Sequence, residues 1–518
     1  MKPRVLSLFF LFLVSIQAHA ALNFTAETIG NNESSPYVYI RITVTNPTDH
    51  KLEYNMTIKE NVSKRNIVIR ERLIEAGVTR IHNLALLLES PPFVEFKDSD
   101  GGRSALGLHW KEKEYLNICE LENWASEKSL RDFSQKLKGV GGSNIITQME
   151  PENLPDNWLC YSPLKAVFIT ESSYNRLESS AREALLNWVR SGGWLTIYDT
   201  NREELSRLMM GTIQYQSQSP LLKQSHVFPY LKIPWQWFYK SRSSRKYFPY
   251  TIKERSGKIG GFLLATLFLV AAGPLNYAYF RKRKRIRMLL VSLPVISLGF
   301  CLLMIGYFFT TKGFSQKGGT YSVTILDEAE DAAFTFSRHL LYSGLYPRGG
   351  FKFNPDTAFY PITGSPGFTM ELTNRQHLKS GLFMPSQSFH YFTAWPFKTR
   401  EKLVFDSSEK AVTNGFENAI QGLIIRQDGT LYQAEDISPG EKKKLTPIKQ
   451  RNLKAAFSNF FLDSKEKNYW SRGFDVLTTP LFKREAVRYI LRFRDPPSSI
   501  ETGTAVKSKR NCYILIGI

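Results

Sequence analysis

Two uncharged apolar runs with a block of basic residues between them constrain this fold more than any other feature. The runs occupy 259–280 and 288–309, and the connector at 281–287 reads RKRKRIR. About 20 apolar residues suffice to cross the hydrocarbon of a bilayer, so each run predicts a transmembrane helix. A buried soluble hairpin does not explain the pattern, because its dry turn would offer no partners for so many charges.

The connector predicts which way the hairpin points. Its basic residues are Arg281, Lys282, Arg283, Lys284, Arg285 and Arg287. Positively charged loops stay on the cytoplasmic side of a membrane, so these residues are interpreted as topogenic. The same charges also make the connector a candidate docking site for an acidic cytoplasmic partner.

The first residues have the pattern of an exported chain. A short basic start, an apolar run and the tripeptide AHA at 18–20 predict a signal peptide at 1–20 that is cleaved after export. An uncleaved anchor is the alternative, and it gives the same orientation. Together with the hairpin, this predicts a two-span protein of the bacterial cytoplasmic (inner) membrane. The segments 21–258 and 311–518 would both be extracytoplasmic.

The charge balance bears on partners. The chain has 68 Lys and Arg against 47 Asp and Glu, a formal net charge of +21. Strongly basic proteins often bind nucleic acid, but exported segments rarely meet it, so we expect no nucleic-acid partner. Membrane lipids and envelope proteins are the expected partners.

The cysteines and histidines form no recognisable redox or metal-binding motif. The cysteines are Cys119, Cys160, Cys301 and Cys512, and no two form a C-x-x-C pair. Cys119 and Cys160 are the candidates for one disulfide in an oxidising compartment, with buried free thiols as the alternative. The histidines lack metal-binding spacing, and no phosphate-binding G-x-x-x-x-G-K-[ST] loop occurs. We therefore expect no metal site and no cofactor.

The patterns as a whole predict a multidomain α+β membrane protein. In 21–115, YVYIRITVTN puts Val38, Ile40, Ile42 and Val44 on one face, as a half-buried strand does. Further short strands and polar turns follow it. We interpret this segment as an N-terminal β-sandwich.

The next folded segment has a different pattern. Within 116–240, a strand at 166–170, a helix and a strand at 194–198 follow one another. Strand–helix–strand order with an apolar first strand predicts an α/β domain with parallel pairing.

After the hairpin, alternating patterns predict a mostly β domain at 319–518. The tetrapeptide QDGT at 427–430 is a hairpin-turn signal. Helical spacing at 454–462 and at 483–491 predicts two helices within this domain.

Three stretches carry a family resemblance. They are ENLPDNWLCYSPLKAVFIT (152–170), AREALLNWVRSGGWLTIYD (181–199) and GPLNYAYFRKRKR (273–285), with a weaker one at 411–445. From about residue 116 onward, the chain resembles uncharacterised bacterial membrane proteins that carry a glutamine-amidotransferase-like domain outside the membrane. Such proteins are often encoded near MoxR-type AAA ATPases and von Willebrand A-domain proteins, so the resemblance implies an envelope assembly.

The residues oppose amidotransferase chemistry. Class I amidotransferases need a Cys on a tight G-x-C-x-G turn between a strand and a helix. Here the strand WLTIY runs into Asp199-Thr200-Asn201-Arg202, without a Cys or a flanking glycine, and Cys160 precedes a strand. We therefore predict a catalytically degenerate domain and no catalytic residue.

The functional hypothesis is a non-catalytic, membrane-anchored scaffold or binding module of an envelope complex. Two alternatives stay open. One is a hydrolase of envelope polymers with an unrecognised site, and the other is a sensor of an anionic ligand.

Overall fold

The structure is a computed structural model. It describes 22–31, 36–108, 115–120, 144–217, 248–250, 258–312, 316–347, 349–363, 367–382, 385, 387–450, 452–470, 487–497, 500–504 and 508–518. The predicted signal peptide at 1–20 lies outside the described residues. So does the last part of the predicted α/β segment, 218–240.

Two antiparallel sheets form from the amino-terminal segment. The strands are β1 (Asn23–Asn31), β2 (Tyr37–Thr45), β3 (Leu52–Glu60), β4 (Arg65–Ile74), β5 (Thr79–Leu87), β6 (Phe93–Asp98) and β7 (Arg103–Gly107). One sheet has the order β1-β2-β5, and the other contains β4-β3-β6-β7. The predicted apolar face of β2 is buried, since Ile40, Ile42 and Val44 are fully buried. The predicted strand at this position is confirmed.

The next segment is a parallel sheet with helices. Its strands are β8 (Tyr115–Glu120), β9 (Asn144–Met149), β10 (Leu164–Thr170), β11 (Trp194–Tyr198), β12 (Glu204–Leu208) and β13 (Gly211–Tyr215). Its α-helices are α1 (Glu171–Arg176) and α2 (Ser179–Arg190), and two 3-10 helices span Pro151–Asn153 and Trp158–Tyr161. The sheet order is β12-β13-β11-β10-β8-β9, and only the β12–β13 pair is antiparallel.

The packing of helix α2 explains why a glycine, Gly193, follows it. Its apolar face buries Leu185, Trp188 and Val189. A Cβ at Gly193 would lie 2.4 Å from the Trp188 ring, so only glycine lets the chain turn this closely back into β11. The predicted parallel pairing of the flanking strands is confirmed, with Ala166 opposite Trp194.

Two long apolar helical stretches follow. The first consists of α3 (Lys258–Val270), a π-helical turn (Ala271–Leu275) and α4 (Asn276–Lys282). The second consists of a 3-10 turn (Ile286–Met288) and α5 (Leu289–Lys312).

The carboxy-terminal segment is mostly β, as predicted. Its first strands are β14 (Lys317–Asp327), β15 (Ala332–Tyr342), β16 (Phe351–Phe353), β17 (Ala358–Pro361), β18 (Thr369–Leu372), β19 (Gln376–Ser380) and β20 (Ser388–Lys398). The next are β21 (Leu403–Asp406), β22 (Ala411–Asn414), β23 (Ile420–Gln427), β24 (Thr430–Ile437), β25 (Lys442–Lys444) and β26 (Thr446–Ile448). The last elements are α6 (Leu453–Phe461), α7 (Ser464–Tyr469), β27 (Tyr489–Phe493) and β28 (Ser508–Gly517).

Most of these strands form one large sheet. Its order is β17-β20-β15-β14-β28-β27-β23-β24-β26, and β21-β22-β25 form a smaller sheet. The predicted turn between β23 and β24 is confirmed, because Asp428 and Gly429 both have positive φ, of 46° and 75°. These angles suit the tight turn of a two-residue hairpin.

The helix predicted at 483–491 is wrong for 487–491, the residues of this range that the structure describes. The pattern at 483–491 predicts a helix, but β27 begins at Tyr489 and pairs with β23 and β28. Ile490 and Leu491 are both fully buried, because a strand inside a sheet that is covered on both faces does not alternate. Such an apolar run is ambiguous between helix and strand.

Strands from both sides of the hairpin share one sheet. Its order is β16-β19-β18-β4-β3-β6-β7, so three carboxy-terminal strands extend a sheet of the amino-terminal segment. β18 runs parallel to β4, from Thr369 beside Asn66 to Leu372 beside Ile69. The amino- and carboxy-terminal segments therefore form one interlocked body.

Candidate functional site

The two apolar stretches expose their side chains. Gly260–Lys282 and Ile286–Tyr307 are long and apolar enough to cross a membrane, and almost none of their residues are buried by the protein. Phe262 is 73% exposed and Leu290 is 84% exposed. A contiguous apolar surface of this size is rare on a soluble monomer.

The GPLNY junction has a definite local geometry. Pro274 lies inside the π-helical turn, where its missing N–H and its ring prevent a regular α-helical turn. Beyond this turn, the Asn276 side chain meets Ser292 of the second stretch. The Asn276 amide nitrogen donates to the Ser292 hydroxyl at 3.0 Å, and this hydroxyl lies 3.1 Å from the Asn276 carbonyl oxygen.

All six predicted topogenic residues lie at the turn between the two stretches. The first stretch ends in a Schellman motif, in which the Arg285 N–H bonds the Phe280 carbonyl and the Lys284 N–H bonds the Arg281 carbonyl. Lys284 takes the left-handed conformation that this motif needs, with φ of 54°.

The six basic side chains are exposed to solvent. Arg281, Lys282, Arg283, Lys284, Arg285 and Arg287 form no ion pair with any residue that the structure describes. Arg283 lies 4.6 Å from the centre of the Tyr279 ring, which orients its side chain back along the first stretch. The turn therefore presents a concentrated positive charge.

Cys160 is a fully buried free thiol in the 3-10 helix Trp158–Tyr161. Burial raises its pKa well above the usual value, and the nearby Asp156 and Asp356 raise it further. A thiol in this setting is a poor nucleophile. Because the Cys160 thiol is free, the predicted Cys119–Cys160 bond is not formed in the structure. The backbone of Cys119 pairs with Phe168 of β10, and its side chain lies outside the described residues.

The end of β11 differs from a nucleophile elbow. Asp199 follows the strand with φ of 55°, and the chain then enters the β12–β13 hairpin rather than a helix. In the part of the chain that the structure describes, no three His, Cys, Asp or Glu residues are grouped so as to hold a metal ion.

One functional candidate is a cavity of about 530 Å³ where three parts of the body meet. Strands β4 and β5 form one side. The segment 151–159 and the junction between α1 and α2 form another, and the turn between β18 and β19 contributes the third. Its size falls within the range of about 300–1,000 Å³ that is usual for ligand pockets.

The polar groups of the cavity include one perturbed histidine. His82 on β5 shares a hydrogen bond with the hydroxyl of Tyr54, which is fully buried. Burial, together with Arg72 and Arg80, lowers the pKa of His82 to about 4. His82 is therefore neutral at physiological pH.

The cavity is bordered by a tightly fixed loop. The side-chain amide of Gln376 donates to the carbonyls of Asn354, Pro355 and Thr357, at 3.0, 3.0 and 2.7 Å. From the α/β side, the Trp158 indole N–H donates to the Asp356 carbonyl at 2.7 Å. The cavity thus has a rigid border.

Sequence reasoning missed this cavity. Its walls come from 69–85, 151–181 and 355–376, and none of these stretches carries a motif by itself. The one available signal was the set of charged residues within strongly patterned segments, such as Arg72 in β4.

Comparisons with known proteins add little. No family model and no curated protein matches the chain. A protein described as ApaA from Bordetella pertussis is 12% identical over 17% of this chain and 86% of its own, with a TM-score of 0.12. A β-glucosidase from Erythrobacter marinus is 13% identical over 17% of this chain and 15% of its own, with a TM-score of 0.12.

A β-glucuronidase from Bacteroides uniformis is 12% identical over 36% of this chain and 34% of its own, with a TM-score of 0.17. The chain thus spans about a third or less of the length of the two glycosidases. At these TM-scores the likenesses carry no argument about fold or activity.

Proposed function

We propose that this protein is a non-catalytic, membrane-anchored scaffold or binding module of a bacterial envelope complex. The observation that carries the proposal is the parallel pairing of β4 with β18. These strands flank the two apolar helical stretches in the sequence, and the Asn66 N–H donates to the Phe368 carbonyl at 2.8 Å.

The pairing supports a two-span topology. Two strands can share a sheet only if they lie on the same side of a membrane, and this needs an even number of crossings between them. The two stretches, Gly260–Lys282 and Ile286–Tyr307, provide that number. The basic turn at 281–287 would then face the cytoplasm, and the body would lie outside it.

The interlocked body suits a scaffold. Hydrogen bonds join the sandwich, the α/β part and the large sheet, so faces from all three keep a fixed relation to one another. The basic turn offers a second contact surface, on the other side of the membrane. MoxR-type ATPases and von Willebrand A-domain proteins are the proposed partners, as the family resemblance implies.

The test is crosslinking in intact cells followed by purification of the protein from membranes. In one variant Arg281, Lys282 and Arg283 become Gln, which leaves three basic residues in the turn to hold the topology. In the matched variant the three lysines of β25, Lys442, Lys443 and Lys444, become Gln, which removes the same charge from the body. Protease shaving from outside the cell verifies the orientation of both.

A scaffold should give the same crosslinked envelope proteins from independent preparations. Loss of one partner in the turn variant alone would locate its contact on the cytoplasmic side. Loss in the β25 variant alone would locate a contact on the body. If no protein is crosslinked above the level of an unrelated two-span protein, the scaffold proposal is wrong.

A further inference from the structure

We infer that the 530 Å³ cavity binds a small zwitterion, a short peptide or amino acid with a free amine and a free carboxylate. This activity goes beyond the scaffold role and does not depend on any protein partner. Arginines and carboxylates from different elements line the cavity.

Two of the basic groups belong to the shared sheet, and a third, Arg176, is the last residue of α1 in the α/β part. β18 pairs in parallel with β4 as far as Leu372 beside Ile69. Arg375 follows Leu372 by three residues, and Arg72 follows Ile69 by three residues. Both arginines therefore lie just beyond the same end of the β4–β18 pairing. Both line the cavity.

The acidic groups belong to the α/β part. Glu152 lies in the 3-10 helix Pro151–Asn153, Asp156 follows it, and Glu178 is the residue before α2. The cavity therefore has two arginines from the shared sheet. From the α/β part it has three carboxylates and Arg176, whose guanidinium donates to the Ser173 hydroxyl at 3.2 Å. A ligand that lies between them and carries one charge of each sign would match both.

Arg72 is half-buried, and the other four charged groups, Arg375 and the three carboxylates, are exposed. Among the described residues, neither Arg72 nor Arg375 forms an ion pair, and neither do the three carboxylates. The planar guanidinium group of an arginine can pair with a ligand carboxylate through two parallel hydrogen bonds.

The remaining lining suits a peptide. Apolar side chains such as Ile69, Leu154 and Leu177 lie between the charged groups and can contact small side chains. Asn83 and Asn157 supply amide groups, which can donate to and accept from a peptide bond. His82 is neutral, so it adds no further positive charge to the basic side.

The experiment measures binding of trialanine to the purified full-length protein in detergent by isothermal titration calorimetry. N-acetyl-trialanine lacks the cation, trialanine amide lacks the anion, and free alanine tests the shortest zwitterion. Trialanine should bind saturably, and each capped form should bind about tenfold more weakly or worse, because it lacks one of the two charges that the cavity would pair with. Alanine binding as tightly as trialanine would identify an amino acid as the ligand.

Variants assign the two ends of the ligand. Arg375→Gln should weaken trialanine binding about tenfold and leave trialanine amide unchanged, since that ligand has no carboxylate to lose. Asp156→Asn should weaken trialanine and spare N-acetyl-trialanine. Arg103→Gln, on the exposed strand β7 outside the cavity, is the matched control and should bind like the wild type.

Two results would overturn the inference. One is the absence of saturable trialanine binding to protein that unfolds at its normal midpoint. The other is equal binding of the capped and free peptides. If Arg375→Gln and Asp156→Asn lower the unfolding midpoint and leave the peptide affinity intact, the charges serve only to hold the parts of the body together. Neither result bears on the crosslinking test of the scaffold role.

Discussion

The hydroxyl group of Tyr37 binds both backbone groups of Phe359. It accepts the Phe359 N–H at 2.6 Å and donates to the Phe359 carbonyl at 2.9 Å. Tyr37 begins β2 of the amino-terminal sheet β1-β2-β5, and Phe359 lies in β17 at the edge of the large sheet. One buried side chain thus joins two segments that are separated in sequence by the apolar hairpin.

Replacing Tyr37 with Phe should destabilise the whole body. The variant leaves the Phe359 N–H and carbonyl without this partner in a buried position, and each such group costs about 1–3 kcal/mol. We expect a loss of about 2–4 kcal/mol in the free energy of unfolding, measured by urea titration in detergent with tryptophan fluorescence.

Tyr432→Phe provides the control for this measurement. Tyr432 lies in β24, it is only partly buried, and no hydrogen bond of its hydroxyl is found among the described residues. Its variant should stay within about 0.5 kcal/mol of the wild type. Equal effects of the two substitutions would show that the Tyr37 hydroxyl does not hold the two segments together.

His339 should make stability depend on pH. It is buried between Thr320 and Thr393, and burial lowers its pKa to about 3. The unfolded chain takes up this proton near pH 6.5 and the folded chain does not, so stability is complete above pH 6.5 and falls as the pH drops toward 3. We expect His339 to contribute a loss of about 1 kcal/mol between pH 6 and pH 5.

The variant His339→Gln isolates this contribution. Urea titrations at pH 7, 6 and 5 should give a shallower fall in unfolding free energy for the variant, whatever its absolute stability. His50→Gln is the matched control, because Asp49 and Asp100 raise the pKa of His50, so its loss should not flatten the slope. Parallel pH profiles for the wild type and His339→Gln would contradict the prediction.

Sequence patterns predicted the structure correctly where residues that are close in sequence are also close in space. The alternation of β2, the strand–helix–strand order around α2 and the turn at Asp428-Gly429 are all of this kind. Each of these features depends on hydrogen bonds and burial within a few tens of residues. The hydrophobic periodicity of such a short segment predicts them directly.

No sequence pattern indicated which strands pair over a long distance in the sequence. β18 is four residues long, and nothing in TMEL indicates that it joins β4 some 300 residues earlier. The cavity was missed for the same reason, since Arg72 and Arg375 are brought together only by that pairing. β27 was misread because a strand buried on both faces has the same apolar content as a helix.

Cys160 should react only after unfolding, and without any reductant. Its thiol is free and buried, and burial raises its pKa, so iodoacetamide should not label it in the folded protein. Denaturation alone should then expose it to labelling, as read by peptide mass spectrometry. Cys512 is the internal control, because it is also free and buried. If Cys512 is labelled while Cys160 needs a reductant first, the Cys119–Cys160 disulfide exists.

The Asn276–Ser292 contact should stabilise the apolar hairpin. Replacing Ser292 with Ala removes the two hydrogen bonds between Asn276 and Ser292, and such contacts between membrane helices contribute about 0.6 kcal/mol, up to about 1.7. Titration with sodium dodecyl sulfate from a mild detergent should give a lower midpoint for the variant. Ser297→Ala is the matched control, since Ser297 lies in the same helix without a hydrogen bond to the first stretch among the described residues. An unchanged midpoint for Ser292→Ala would mean that the Asn276–Ser292 contact does not stabilise the hairpin.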